Sequence, residues 1–324
     1  MKLKGQKILI TGGLGFIGSN LSEKLSKDND IVIIDDLSTG NSNNLNLTMN
    51  EKNIEFIKGS ITDLELMKKI TKDIDIIFHQ AALPNVKRSI ENPILTNKVN
   101  VEGTLNLLKA AADSNVKKFI YASSSSVYGN TKTLPKKESM KPEPISPYAV
   151  QKLTGEYYCN VFQEVYGLKT VSLRYFNVYG PRQNFRTKNP PVIINFIIKM
   201  MNDQPIEVYG DGNQTRDFTY VRDVVDANIL AAEKNVSGVF NIGYGENHSI
   251  NELIEIISRN LNKKPKVIYK PPREGDVRDS LADITKANRE MGYKPKFDLE
   301  SGIKETIRWV IENVQETYTK NRKK

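Results

Sequence analysis

The first half of the chain alternates two hydrophobic rhythms. Apolar, β-rich runs occur at KILIT (7–11), DIVIID (30–35), IEFIKG (54–59), DIIFHQ (75–80), KKFIYASS (117–124) and KTVSLRYF (169–176), and each predicts a strand. Between them apolar residues recur at helical spacing, as in FIGSNLSEKLSK and VNVEGTLNLLKAAADSN. Strands that are continuously apolar, rather than alternating, are covered on both faces, and strand–helix alternation builds a parallel sheet. The fold class predicted is therefore α/β, a doubly wound parallel sheet of the nucleotide-binding kind. After residue 176 the rhythm loosens into Pro- and Gly-rich loops (GPRQ, KNPP, YGDGNQTRDF, YKPPREGD) with helices between them. That part predicts a smaller, substrate-holding domain. The expected division is 1–176 for nucleotide binding, with a returning segment at about 221–243, and 177–220 plus 244–324 for the smaller domain.

Composition narrows the function classes. No apolar run approaches the roughly 20 residues of a membrane helix, and MKLKGQKILITGG lacks a signal-peptide core, so a cytoplasmic protein is expected. The single cysteine, Cys159, excludes an internal disulfide and a multi-cysteine zinc site, and its helical setting (GEYYCNVF) reads as a core thiol. His79 and His248 are the only histidines, so no metal site is expected. A net charge of +9 raises the question of nucleic acid, but the lysines are scattered among 38 acidic residues. The excess suits an anionic small substrate better, and the basic tail TKNRKK reads as a solvated end.

Candidate chemistry begins at ITGGLGFIGSN. Gly12, Gly15 and Gly18 are spaced G-x-x-G-x-x-G between the first strand and a helix. Glycines admit a pyrophosphate to the backbone, and the helix N-terminus offers free N–H groups. Asp35 ends the second predicted strand 23 residues after Gly12, where a carboxylate binds ribose hydroxyls and repels a 2′-phosphate. The expected cofactor is NAD. Asp36 beside it reads equally as a turn residue.

SPYAVQK places Tyr148 and Lys152 one helical turn apart on one face. A phenol titrates near pH ~10; a general base near neutrality needs a shift of about three units, roughly 4 kcal/mol. A buried lysine cation together with the positive nicotinamide ring can supply it. The run YASSSSVYG (121–129) adds four hydroxyls, Ser123 to Ser126, at a strand end some two dozen residues earlier.

These motifs, with DDLSTG, HQAA, TNKVNVEGTLNLL, LRYFNVYGPRQ, YGDGNQTRDF, NIG and REGDVRDSLAD, resemble the extended short-chain dehydrogenase/reductase family over about residues 6–310. Within it the chain is most similar to the UDP-glucose/UDP-N-acetylglucosamine 4-epimerases. The resemblance implies a Rossmann-type sheet with a C-terminal substrate domain, and Ser124, Tyr148 and Lys152 as catalytic residues. It implies NAD contacts from Phe16 and Ile17 beside the three glycines, and from Ser38, Thr39 and Gly40 beyond Asp35 and Asp36. Further contacts fall to Ser60, Ile61, Gln80, Ala81, Ala82, Asn100, Ser123 and Tyr175; Ser60 stands where the family usually has Asp. Asn177, Arg216, Arg273 and Asp276 are expected on the nucleotide diphosphate and its ribose. Val192, Phe196, Val208, Tyr209, Ser125 and Ser126 are expected near uracil or sugar. Ser280, four residues after Asp276, is small where a bulky aromatic goes with plain hexoses, so it admits an N-acetyl group. The implied reaction is inversion at C4 through a 4-keto sugar. A 4,6-dehydratase would need an Asp–Glu pair where this chain has Ser125 and Ser126. A UDP-glucuronate 4-epimerase would need a further cation for the carboxylate, and a catalytically silent NAD-binding protein remains the reading from another class. The helices at 94–114 and 148–166 carry broad apolar faces that suit packing within the chain, and the resemblance implies that they also form a homodimer interface.

Overall fold

The computed structural model describes residues 3–45, 52–185, 190–272 and 277–321, with side chains in the last helix through residue 313. Seven strands form one parallel sheet: β1 (Lys7–Thr11), β2 (Asp30–Asp35), β3 (Ile54–Lys58), β4 (Ile76–His79), β5 (Lys118–Ser124), β6 (Thr170–Tyr175) and β7 (Gly238–Ile242). Their order is β7-β6-β5-β4-β1-β2-β3, so the winding reverses between β1 and β4. Ligands of such sheets bind in the crevice at the carboxyl ends of the strands beside that reversal.

The continuous apolar runs are explained by two covered faces. Ile8, Ile10, Ile31 and Ile33 point to one side, against Leu21 and Leu25 of helix Phe16–Leu25 and Val224, Ala227 and Ala231 of helix Val221–Glu233. Leu9, Val32 and Ile34 point to the other, against Met67, Leu107, Leu108, Cys159 and Phe162. Cys159 is thus a core thiol, and burial pushes its pKa up to about 12.

A second core gathers helices Val192–Met201, Ile250–Leu261 and Leu299–Asn321 around the paired strands Ile206–Tyr209 and Val267–Lys270. Ala287, Met291 and Tyr293 belong to the sheet's core instead, although they lie late in the chain. The helical pattern over 99–115 divides in two. A wide turn at Lys98–Gly103 precedes the regular helix Thr104–Asp113, and Gly103 packs so closely on Ile61 that a Cβ there would lie 2.7 Å from its side chain. Among the described residues no helix is long and apolar enough to cross a membrane, and no group of three or more His, Cys, Asp or Glu could hold a metal ion.

Candidate active site

A cleft of about 1090 Å³ runs across the carboxyl ends of β1, β2, β4, β5 and β6 and reaches the second core region. Its floor is the glycine loop. Gly12 has φ +66, and a Cβ there would meet the Ala81 backbone at 2.8 Å. At Gly18 a Cβ would lie 2.1 Å from the Gly12 carbonyl oxygen, so only glycine lets the helix start this close to the loop. Helix Phe16–Leu25 has no side-chain cap at its N-terminus, leaving its first N–H groups to the cleft.

Asp35 lines the cleft and is anchored by backbone N–H groups: Leu14 donates to Oδ2 at 3.0 Å and Leu37 to Oδ1 at 2.9 Å. Burial raises its pKa and these bonds oppose the rise. Gly40 is not on the cleft wall but behind it, where a Cβ would press to 2.7 Å from Asp35 Oδ1. Asp36 lines the cleft together with Ser38 and Thr39, and it also accepts a turn bond from Ser38 N at 2.9 Å. Ser60 and Ile61 both line the cleft, and the Ser60 hydroxyl is also bonded to the Thr62 hydroxyl at 3.0 Å. Gln80, Ala81 and Ala82 also line it. Gln80 Nε2 donates to Tyr175 Oη at 3.2 Å and to Asn228 Oδ1 at 3.1 Å, fixing the Tyr175 ring at the cleft. Asn100 does not reach the cleft. Its amide is spent inside, accepting from Leu83 N at 2.8 Å and donating to Gln151 Oε1 at 2.9 Å, so it shapes the loop after β4.

The reactive groups come together from β5 and the helix Pro147–Tyr166. That helix begins with Ser146 accepting from Ala149 N and with Pro147 in its first turn, which fixes where Tyr148 points. Tyr148 is buried and its backbone N–H is held by Ser89 Oγ at 3.1 Å. Lys152 donates to the Ala122 carbonyl at 2.7 Å and lies 5.0 Å from the Tyr121 ring centroid. Burial lowers the Lys152 pKa to about 8. Burial also pushes Tyr148 up to about 12, with a hydrogen bond from Ser124 pulling the other way. In the protein alone desolvation therefore wins, and the expected depression toward neutrality needs the cofactor's charge as well as Lys152.

The four serines separate into distinct environments. Ser123 donates to Glu156, whose carboxylate takes two bonds from Arg174, at 2.9 Å and 2.7 Å. Ser124 accepts from Ser126 N at 3.1 Å. Ser125 lines the cleft, and Ser126 Oγ is buried there without a partner, a polar atom awaiting a ligand.

Asn177, Arg216 and Ser280 line the far end. Arg216 Nη1 donates to the carbonyls of Thr215 and Arg278, both at 2.9 Å. Arg273 and Asp276 lie outside the described residues. Val192, Phe196, Val208 and Tyr209 are not on the cleft. Phe196 and Val208 are buried in the second core, Val192 packs against it, and Tyr209 ends a strand beside it, because alternate residues of these elements must fill that core. Pro191 lines the cleft in place of Val192. Pattern reading missed Arg88, Tyr128, Lys136, Gln183 and Asp279, all on the cleft wall. A charged segment beside an apolar loop, as in NVKR and LPKKE, is the faint signal for two of them.

His79, adjacent to this cleft, is structural. Nδ1 meets Thr11 Oγ1 at 2.7 Å and Nε2 meets Thr104 Oγ1 at 2.9 Å. Burial, aided by the Lys152 charge, lowers its pKa to about 3, so the ring is neutral.

The cleft's features fit a dinucleotide, with a glycine cradle that a Cβ would fill and a carboxylate at the second strand, and an unpartnered serine hydroxyl lies elsewhere on the same wall. The sequence model of the GDP-mannose 4,6 dehydratase family matches residues 9–306. A putative UDP-glucose 4-epimerase of Methanocaldococcus jannaschii is 43% identical over 94% of this chain and 99% of its own. The UDP-N-acetylglucosamine 4-epimerase of Methanobrevibacter ruminantium, solved with UDP-N-acetylmuramic acid, superposes with a TM-score of 0.93 at 44% identity, covering 95% of this chain and 99% of that one. Thermus thermophilus UDP-glucose 4-epimerase, solved with NAD, gives a TM-score of 0.87 at 34% identity over 95% and 99% of the two chains.

Proposed function

The chain belongs to the extended short-chain dehydrogenase/reductase family as a UDP-sugar 4-epimerase working with NAD, and from that premise we propose that it interconverts UDP-GlcNAc and UDP-GalNAc, with UDP-Glc and UDP-Gal as a second pair. The observation that carries the choice is Ser280 on the wall of the cleft, a small side chain that leaves room for an N-acetyl group.

The glycine loop, Asp35 and Tyr175 would hold NAD, which when bound supplies a hydride acceptor that is regenerated in each turnover. Tyr148 takes the proton of the C4 hydroxyl, with Ser124 bridging phenol and substrate. Lys152 holds a positive charge near the phenol and favours its ionised form. Asn177 and Arg216 grip the diphosphate, because a guanidinium matches phosphate oxygens. The sugar is held by Ser125 and Ser126 through single hydroxyls, loosely enough to turn its other face once the 4-keto form exists. Tyr148 then returns the proton from the same position. Serines at 125 and 126 provide no carboxyl pair for elimination, which separates this site from a dehydratase.

A second reading has its own observation. Arg88 and Lys136 line the cleft and offer cations to a substrate carboxylate, as a UDP-glucuronate epimerase requires. Comparing UDP-GlcNAc, UDP-Glc and UDP-GlcA as substrates tests both readings, and exclusive turnover of the uronate would replace the first by the second.

We also infer a homodimer. Val150, Tyr157, Val161 and Val165 form an exposed apolar stripe on helix Pro147–Tyr166, and Ile90 and Ile94 extend it from the short helices packed alongside.

A further inference from the structure

The NIG motif (241–243) makes no contribution to the site described so far. Asn241 lies in β7, fully buried, and every polar atom of its amide is used. Oδ1 accepts the Tyr128 hydroxyl at 2.6 Å. Nδ2 donates to the Lys136 carbonyl at 2.8 Å and to the Asp283 carbonyl at 3.2 Å. Its backbone N–H, on the side of β7 away from β6, donates to Glu138 Oε1 at 2.8 Å.

Those partners belong to two segments that wall the cleft. Residues Lys136 and Ala282 form a parallel bridge, with Lys136 N donating to Leu281 O and Asp283 N to Lys136 O, both at 2.8 Å. Buried Asp217 holds the same strap from below: Oδ2 accepts Ala282 N at 3.0 Å and Oδ1 accepts Tyr244 N at 2.7 Å. At Gly243 a Cβ would lie 2.6 Å from Ala282 Cβ and 2.7 Å from Asp217 Oδ2, so the glycine lets the strap settle against the sheet edge. Two residues up the strap, Ser280 N donates to Thr215 O at 3.2 Å, and Asp279 Oδ1 accepts from the Thr215 hydroxyl at 2.8 Å. Tyr128, Lys136, Asp279 and Ser280 all line the cleft.

We propose that Asn241 is a positioning residue for substrate choice: its amide sets the depth of the 279–283 strap against Tyr128 and Lys136, and so the room at Ser280. The inference rests on the reading of this cleft as a UDP-hexose site. Its physical basis is that one amide satisfies three buried groups from two segments. Removing it takes the donor from the Asp283 carbonyl, the acceptor from the Tyr128 hydroxyl and one of two donors from the Lys136 carbonyl, and the strap shifts to find water or other partners. Because the strap's next residues face the ligand, the shift is read in the pocket.

The test compares Asn241→Ala and Tyr128→Phe with the wild type on UDP-GlcNAc and UDP-Glc, reading kcat, KM and bound NAD separately. In Asn241→Ala the UDP-GlcNAc KM should rise about tenfold, with kcat within about threefold and NAD retained, the scale of one lost buried hydrogen bond. The ratio of kcat/KM between the two substrates should shift by about fivefold or more. Tyr128→Phe removes only the hydroxyl, keeps a ring beside Arg174, and should move the ratio in the same direction by less. A parallel loss on both substrates, with the ratio unchanged, would overturn the proposal in favour of a purely structural asparagine. If Asn241→Ala does not fold, an unchanged ratio in Tyr128→Phe overturns it. A wild type inactive on both sugars removes the reading of the cleft, and the inference with it.

Discussion

The Lys152 ammonium lies 5.9 Å from the centroid of the Tyr148 ring, both side chains buried on one face of a single helix. Nothing in that arrangement by itself makes the phenol acidic: burial drives Tyr148 to about 12 and Lys152 to about 8. The protein has built a site that is poised only when a positive cofactor ring adds to the lysine. Tyr148→Phe should therefore retain UDP binding, measured by calorimetry, while kcat falls by about three orders of magnitude or more. Turnover within tenfold of wild type would remove Tyr148 as the base.

The same burial makes Lys152 a stability cost. Its folded pKa, about 8, lies below the ordinary 10.5. Between those values the unfolded chain keeps a proton that the folded protein has released, so stability rises with pH across that window, and the cost is fully present below it. With NAD stripped from both, Lys152→Met should be about 1–3 kcal/mol more stable than wild type at pH 7, after allowing for the orphaned Ala122 carbonyl. Urea titrations should show the gap closing as pH approaches 10.5. A variant less stable at pH 7 would contradict this.

Glu156 should behave in the opposite way. It is buried, bound by Arg174 through two bonds and by Ser123 through a third. Glu156→Gln leaves the Arg174 cation uncompensated and should cost about 3 kcal/mol, read as a lower urea midpoint at unchanged slope.

Gly18→Ala places a methyl 2.1 Å from the Gly12 carbonyl oxygen, and neither backbone can give way without opening the cradle. The variant should purify without NAD, measured as nucleotide released on acid denaturation. Normal occupancy would show that the loop does not hold the pyrophosphate.

If the apolar stripe is a subunit interface, Val165→Glu with Ile94→Glu should sediment as a monomer where wild type is a dimer. These positions are 68% and 83% exposed in the single chain, so the substitutions disturb no core.

What was legible in the sequence was local. The glycine spacing, the Tyr148–Lys152 turn and the apolar runs each lie within a few neighbouring residues, and the strands at 7–11 and 30–35 appear at those bounds. The seventh strand lies in the segment at about 221–243 expected to return to the nucleotide-binding domain, but it gives no strand signal of its own because GVFNI carries a glycine and an asparagine in a short edge run. The Ser123–Glu156–Arg174 cluster was invisible because its partners stand 33 and 18 residues apart with no periodic signature. Asn100 and Val208 show the converse. A motif residue can sit near a ligand in sequence while its side chain is used by the scaffold.

The central claim is tested most directly by incubating the purified protein with UDP-GlcNAc, and separately with UDP-Glc, without added NAD, and following the sugar by NMR. Appearance of the C4 epimer, with UDP-GlcNAc turned over at least as well as UDP-Glc, is the predicted result. Protein that carries NAD yet yields no C4 epimer from either sugar would contradict it.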